Sequence, residues 1–322
     1  MRNRTLGRTG FEISEVGFGA WGIGGKYWGS TDDRLSLRTL RCAFELGVNF
    51  VDTALAYGDG RSEKLVGRAI REFGGAIRVA TKIPPKGGGW PPPPGTRARL
   101  AFPADHIVRS TEQSLKNLGL DYLDLQQFHI WLDEWLEDHE WKEAVARLKT
   151  QGKIRAFGVS VIDHRPDTAL RAVASGLIDS VQVIFNIFDQ SPRDELFPLC
   201  RVHGVGVIAR VPFDEGSLTG GLRPDARFPR GDFRSEYFRG DRLSETCRHV
   251  EHLAFLVRDE IKSLAQAALK FCLSHPEVST VIPGMRRPEH AEENCAVVDG
   301  IALKPEELEA LRAHAWPRNF YE

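Results

Sequence analysis

Short apolar runs, several rich in β-branched residues, recur along this chain, and longer amphipathic stretches fill the gaps between them. Eight runs stand out, near residues 16–18, 49–51, 78–81, 122–125, 156–159, 180–184, 206–209 and 280–282. Runs this short and this uniformly apolar predict strands buried on both faces, as a parallel sheet requires. Between them, residues 104–118 place Ile107, Val108, Leu115 and Leu118 on one helical face, with Gly119 as the stop. Residues 140–149 and 260–273 read as further amphipathic helices. Ahead of the first run, residues 4–6 and 11–13 flank Gly7-Arg8-Thr9-Gly10, the pattern of a β-hairpin. The alternation keeps one composition throughout, which predicts a single α/β domain over residues 1–322, a (β/α)₈ TIM barrel with an amino-terminal hairpin.

Two connections exceed plain turns. Residues 84–103 contain Lys86-Gly87-Gly88-Gly89-Trp90 followed by four prolines, an extended, partly polyproline segment. Residues 213–244 are rich in Gly, Arg and Phe. Both follow strands, on the carboxyl-terminal face where barrel active sites are built, so both are expected to cover a site. A third segment, residues 131–141, is acidic and aromatic.

Composition narrows the function. Lys+Arg 43 against Asp+Glu 44 leaves a formal charge of −1, which offers no basic surface for nucleic acid. No apolar run approaches the length of a membrane span, and the first residues lack an export signal. The five cysteines are scattered, with no C-x-x-C pair, and read as reduced thiols of a cytoplasmic protein. His249 and His252 stand i,i+3 without a third ligand in frame, so no metal site is expected.

Candidate chemistry sits at the ends of the early strands. Asp52 and Tyr57 lie in Val51-Asp52-Thr53-Ala54-Leu55-Ala56-Tyr57-Gly58, Lys82 ends Arg78-Val79-Ala80-Thr81-Lys82, and His129 ends Leu123-Asp124-Leu125-Gln126-Gln127-Phe128-His129. Any one of these alone is ordinary: a turn aspartate, a solvated lysine, a core tyrosine, a bonded histidine. Together a carboxylate, a phenol, an amine and an imidazole form a proton-donating set. A phenol is a poor acid at neutral pH unless its anion is stabilised, and an ammonium aimed by a carboxylate does that.

In this order and context the four residues resemble the aldo-keto reductase superfamily, which reduces carbonyls with a nicotinamide cofactor inside a (β/α)₈ barrel. The resemblance extends to about position 316. It implies Tyr57 as proton donor, Lys82 and Asp52 as its tuning pair, and His129 as a donor toward the carbonyl oxygen. It also implies NADP(H), held by Trp21 at the pocket edge, Ser160 and Gln182 at the carboxamide, and Pro212, Gly216 and Leu218 at the pyrophosphate. Gly284, Arg286, Arg287, His290, Glu293 and Asn294 fall in the adenosine-phosphate segment, with an arginine on a 2′-phosphate. Gly17-Phe18-Gly19-Ala20-Trp21-Gly22 matches a dinucleotide fingerprint, but the next helix signal waits until Asp32, so that reading is rejected.

Three residues depart from the family pattern. Val161 replaces a common Asn, and Gly284 a Lys found in some branches. Arg210 stands where an aromatic usually stacks on nicotinamide. Its guanidinium either stacks, disfavouring NADP⁺ against NADPH, or turns to pair with Asp214 or Glu215. The expected substrate is a small carbonyl compound or sugar, and Trp21, Trp28, Trp90, Trp131 and Phe213 are candidates for the pocket wall. Two other functions fit the same residues: a cofactor-binding regulatory subunit, and a lyase using Lys82 as a Schiff base. The sequence says nothing of oligomeric state.

Overall fold

The computed structural model describes residues 1–25, 27–29, 31–87, 89–93 and 95–321. Lys26 and Ser30 of the first connection, and Gly88 and Pro94 of the proline-rich one, lie outside the described residues. Strands β1 (Asn3–Thr5) and β2 (Glu12–Ser14) form the expected antiparallel hairpin, with Arg4 opposite Ile13. Eight parallel strands follow in chain order: β3 (Phe18–Gly19), β4 (Phe50–Asp52), β5 (Arg78–Ile83), β6 (Leu123–Phe128), β7 (Ile154–Ser160), β8 (Ser180–Ile184), β9 (Gly206–Arg210) and β10 (Val278–Val281).

Parallel bridges from Val16 to Val281 and from Gly19 to Gly284 close the sheet into a barrel. At the seam, Gly17 N–H donates to the Val281 carbonyl at 2.8 Å and Gly19 N–H to Pro283 at 3.0 Å. A Cβ on Gly19 would come within 2.6 Å of the Ile282 carbonyl oxygen, so glycine is required where the first strand meets the last.

Strand periodicity sorts the side chains. Phe18, Val51, Val79, Leu123, Phe157, Val181, Val207 and Val281 belong to the large core between sheet and helices. Phe50, Ala80, Leu125, Ala156, Ile208 and Ile282 cluster with Leu6 and Ile13 of the hairpin region, which plug the barrel floor. Two residues further along the same strands come Asp52, Lys82, Gln127, Gly158, Arg210 and Gly284. The apolar floor thus carries a polar layer directly above it, at the carboxyl-terminal end.

The outer helices obey local signals. Asp32 caps Asp33–Glu45 by accepting from the Arg34 and Leu35 amides at 2.7 and 3.3 Å. Ala104–Leu118 forms as expected and stops at left-handed Gly119. The expected helix over 260–273 begins later, as Leu264–Leu273. Arg258 and Ile261 exchange backbone hydrogen bonds instead, and the Ser263 hydroxyl accepts from the Gln266 amide, which sets the start.

Residues 213–244 are ordered by their own small core, in which Tyr237, Phe238, Leu243 and Cys247 are buried. Trp131, expected in the pocket wall, is instead fully buried; with Trp135 and Trp141 it packs around Phe128 in the main core. The helix Glu140–Thr150 supplies Trp141 to this cluster, so the segment after His129 is structural. Among the described residues no helix is long and apolar enough to cross a membrane.

Candidate active site

The end of β4 supplies Asp52, the turn after it Tyr57, β5 Lys82 and the residue after β6 His129. Gly58 shapes that turn: it has φ +63°, and a Cβ there would collide with the Gly24 carbonyl oxygen, so the first connection packs against the Tyr57 turn. The Lys82 ammonium donates to Asp52 Oδ2 at 2.5 Å, to the Thr53 carbonyl at 2.9 Å and to the Tyr57 hydroxyl at 3.1 Å. All three donor positions of the ammonium are therefore engaged. Asp52 Oδ1 in turn accepts from Gln182 Nε2 at 2.7 Å and Gln127 Nε2 at 3.3 Å. The ion pair is dry, with side-chain exposures of 0% for Lys82 and 3% for Asp52.

Electrostatics follow from that burial. Desolvation works to lower the Lys82 pKa, but the adjacent Asp52 carboxylate and Tyr57 outweigh it and the group stays above its ordinary value, a committed ammonium. Burial pushes the Tyr57 phenol up; Lys82 pulls it down but does not fully offset burial and Asp52. The lysine therefore moderates the phenol rather than making it a strong acid. Burial, Lys82 and Arg210 all depress His129 well below the usual imidazole range, so the ring is neutral at neutral pH and keeps one N–H to donate. Its Nδ1 is buried with no hydrogen-bond partner among the described residues.

Aromatic rings frame this mouth. Trp21 lies 6.2 Å from the Tyr57 ring, and Trp90 of the proline-rich connection meets His129 edge-on at 4.5 Å. From the long connection after β9, Phe233 sits 5.5 Å from Trp21, and its amide donates to the Tyr27 carbonyl at 2.9 Å. Arg234 lies over the Trp28 ring at 5.0 Å. Both long connections therefore reach the site. Phe213 is partly buried against the main core instead.

Residues expected to hold a cofactor extend from this mouth. Ser160, at the end of β7, is the register partner of Gln182, in the middle of β8. The Gln182 amide nitrogen donates to Asp52 at 2.7 Å and to Gln127 Oε1 at 3.5 Å, which leaves its oxygen as the group able to meet a ligand. Pro212 is buried, Gly216 has φ +100°, and the Leu218 side chain enters the core. The Gly216 and Leu218 amides both donate to the Phe213 carbonyl, at 2.9 and 3.0 Å. This argues against a phosphate cradle at those two amides. Val211, Asp214 and Glu215 also adopt positive φ, a strained turn. It is pinned by Asp214, which accepts from Ser217, Tyr237 and Arg318 at 2.6, 2.9 and 2.6 Å.

Beyond β10, open space surrounds Gly284 where a side chain would project. Arg286 packs over Gly22, and Arg287 precedes the helix Pro288–Cys295 as its exposed cap residue. Burial together with Arg234 and Arg287 lowers the Arg286 pKa, the mark of a crowded cationic patch. His290 Nδ1 accepts from the Arg286 amide at 3.3 Å, and Glu293 accepts from Ser263 at 2.7 Å. Asn294 is buried, and among the described residues its Nδ2 has no hydrogen-bond partner. An unspent buried amide on the helix that Arg287 caps suits a purine, and the arginines a phosphate.

Three contributors were missed in the sequence. Gln127 was legible, since it alternates inward between Leu125 and His129. Asp163 and Tyr321 carried no local signal. Arg210 turns to neither Asp214 nor Glu215: its Nη2 donates to Asp163 at 2.6 Å and to the Val161 carbonyl at 3.0 Å. Asp214 is occupied by Arg318, and Glu215 accepts from the Tyr321 hydroxyl at 2.5 Å. His249 stacks on Trp316 at 3.9 Å.

The Aldo/keto reductase family model matches residues 15–315. The chain belongs to the aldo/keto reductase family. It is 33% identical over 299 residues to the aldo-keto reductase YhdN of Bacillus subtilis, covering 91% of this chain and 87% of the relative. It is 32% identical over 317 residues to a probable voltage-gated potassium channel subunit beta of Arabidopsis thaliana, covering 94% and 93%. A solved aldo/keto reductase from Klebsiella pneumoniae in complex with NADP and acetate superposes with a TM-score of 0.72 at 25% identity, covering 99% of this chain and 98% of that one. The barrel and the amino-terminal hairpin are thus family architecture.

Proposed function

We propose that this protein is an NADP(H)-dependent oxidoreductase that reduces the carbonyl of a small aldehyde, ketone or sugar. One observation carries the reading: the Tyr57 hydroxyl faces a buried ammonium at 3.1 Å, which is itself fixed by Asp52 at 2.5 Å, beside a neutral imidazole. When bound, a nicotinamide supplies the hydride. The chain's own groups supply the rest. His129 and Tyr57 are positioned to hydrogen-bond a carbonyl oxygen, Tyr57 passes its proton to that oxygen as charge develops, and Lys82 stabilises the resulting phenolate. Ser160 and the Gln182 oxygen would meet the carboxamide, Arg286 and Arg287 the adenosine phosphate, and Asn294 the adenine. Trp90 and Phe233 exclude water from the mouth.

The geometry opposes a Schiff-base role. An amine nucleophile must be deprotonated and accessible, whereas Lys82 is a fully buried ammonium with three partners. A regulatory role draws support from the resemblance to a channel subunit, but a regulatory subunit has no need of a complete proton-donating set. NADPH consumption over a panel of carbonyls and sugars tests the proposal, with Tyr57→Phe as the control. Turnover that survives in Tyr57→Phe removes the assigned donor, and binding of NADPH without turnover of any substrate favours the regulatory reading.

A further inference from the structure

Arg210 lies at the carboxyl end of β9, close enough to Tyr57, His129 and Glu215 to influence the charge state of each. One edge of its guanidinium is tied down by Asp163 and the Val161 carbonyl, while its Nε is buried with no hydrogen-bond partner among the described residues. Asp163 follows the end of β7 by three residues, so the pair bridges the mouth from β9 to β7. Both side chains are mostly buried, at 17% and 18% exposure, and bulk water screens them little. A planar cation held by its edge offers a face to a flat heterocycle. Against an oxidised nicotinamide, which carries a positive charge that the reduced ring lacks, a bare guanidinium would be repulsive.

We infer that Asp163 sets the balance between oxidised and reduced cofactor by neutralising the Arg210 guanidinium, against which a bound nicotinamide would lie. This depends on the cofactor reading above and adds a residue to it. Arg210 alone would bias the site toward NADPH; paired with Asp163, it lets the site hold both redox states and so run in both directions. The other nearby carboxyl, Glu215, is bonded to Tyr321 rather than to Arg210, and burial holds it at a pKa of about 7, so it is only partly ionised at neutral pH. Asp163 is the carboxylate in direct contact. It acts through Arg210 and is a positioning residue.

Dissociation constants of NADP⁺ and NADPH, measured by fluorescence titration at one pH, test the inference. Asp163→Asn keeps a hydrogen-bond acceptor and removes the charge. It should weaken NADP⁺ on the order of tenfold and leave NADPH within about twofold. Asp163→Glu should keep the ratio of the unaltered protein, which guards against a folding defect in the first variant. Adding Arg210→Met to Asp163→Asn should restore the ratio, because the uncompensated cation is gone. Equal losses for both cofactors in Asp163→Asn, or a shifted ratio that persists in the double variant, overturns the inference while leaving the proposed function intact. Failure of the unaltered protein to bind either cofactor overturns both.

Discussion

Replacing Lys82 by Met separates what the buried ion pair does for catalysis from what it does for the fold. The substitution removes the ammonium while filling much the same volume. It strands Asp52, which keeps its two glutamine donors but loses the ammonium that pairs with it, and it frees the Thr53 carbonyl. An uncompensated buried carboxylate costs roughly 3–5 kcal/mol, and the remaining amide donors place this case near 3 kcal/mol. At the usual unfolding entropy per residue, a chain of this length should lose about 4–5 °C in Tm. Activity should fall on the order of 10²–10⁴-fold, because burial then raises the Tyr57 phenol with the Lys82 charge and hydrogen bond gone and only the weaker pull of Arg210 against it. The double variant Asp52→Asn/Lys82→Met removes both charges. Neutral replacement of a buried pair is often close to neutral for stability, so the Tm should recover most of its loss while activity does not. Thermal denaturation and NADPH absorbance, run on the same preparations, give both readouts. Activity that returns together with the Tm would refute the reasoning, since the pair would then be a structural element alone.

Three further outcomes follow from the same geometry. Tyr57→Phe deletes the proton donor and almost no volume, so kcat should collapse while the NADPH dissociation constant stays within about threefold; a matching loss of affinity would mean the hydroxyl binds rather than donates. Arg286→Ala with Arg287→Ala should weaken NADPH by about tenfold to a hundredfold and NADH far less, since a charge-assisted contact to phosphate is worth roughly 1.5–3 kcal/mol; equal losses contradict the phosphate assignment. Glu215 gives a pH signature: burial raises its pKa to about 7, so the folded state resists ionising it, and stability from this group falls as pH rises from the ordinary glutamate range to about 7, then levels off. Glu215→Gln should therefore gain Tm relative to the unaltered protein at pH 8 but not at pH 4, and an equal effect at both rules out this titration.

What the chain's sequence determined alone was everything carried by local periodicity. Two residues along each strand return a side chain to the same face, so Phe50 and Asp52, Ala80 and Lys82, and Leu125, Gln127 and His129 announced an apolar floor with a polar layer above it. The same holds for Gly119 as a helix stop. Periodicity says which way a side chain points, not what it meets. Gln182 spends its donor on Asp52, 130 residues away, because barrel closure and strand stagger bring β8 and β4 side chains to one level. Arg210 finds Asp163 rather than its near neighbours because a strained turn, pinned by Arg318 from 104 residues away, points Asp214 elsewhere. Trp131 looked like a pocket wall because aromatic residues near a catalytic histidine serve pocket and core alike; only the packing of Glu140–Thr150 against it decided for core. Strand faces are set by bonds between adjacent residues, and these pairings by closure of the whole sheet, which no short window of sequence contains.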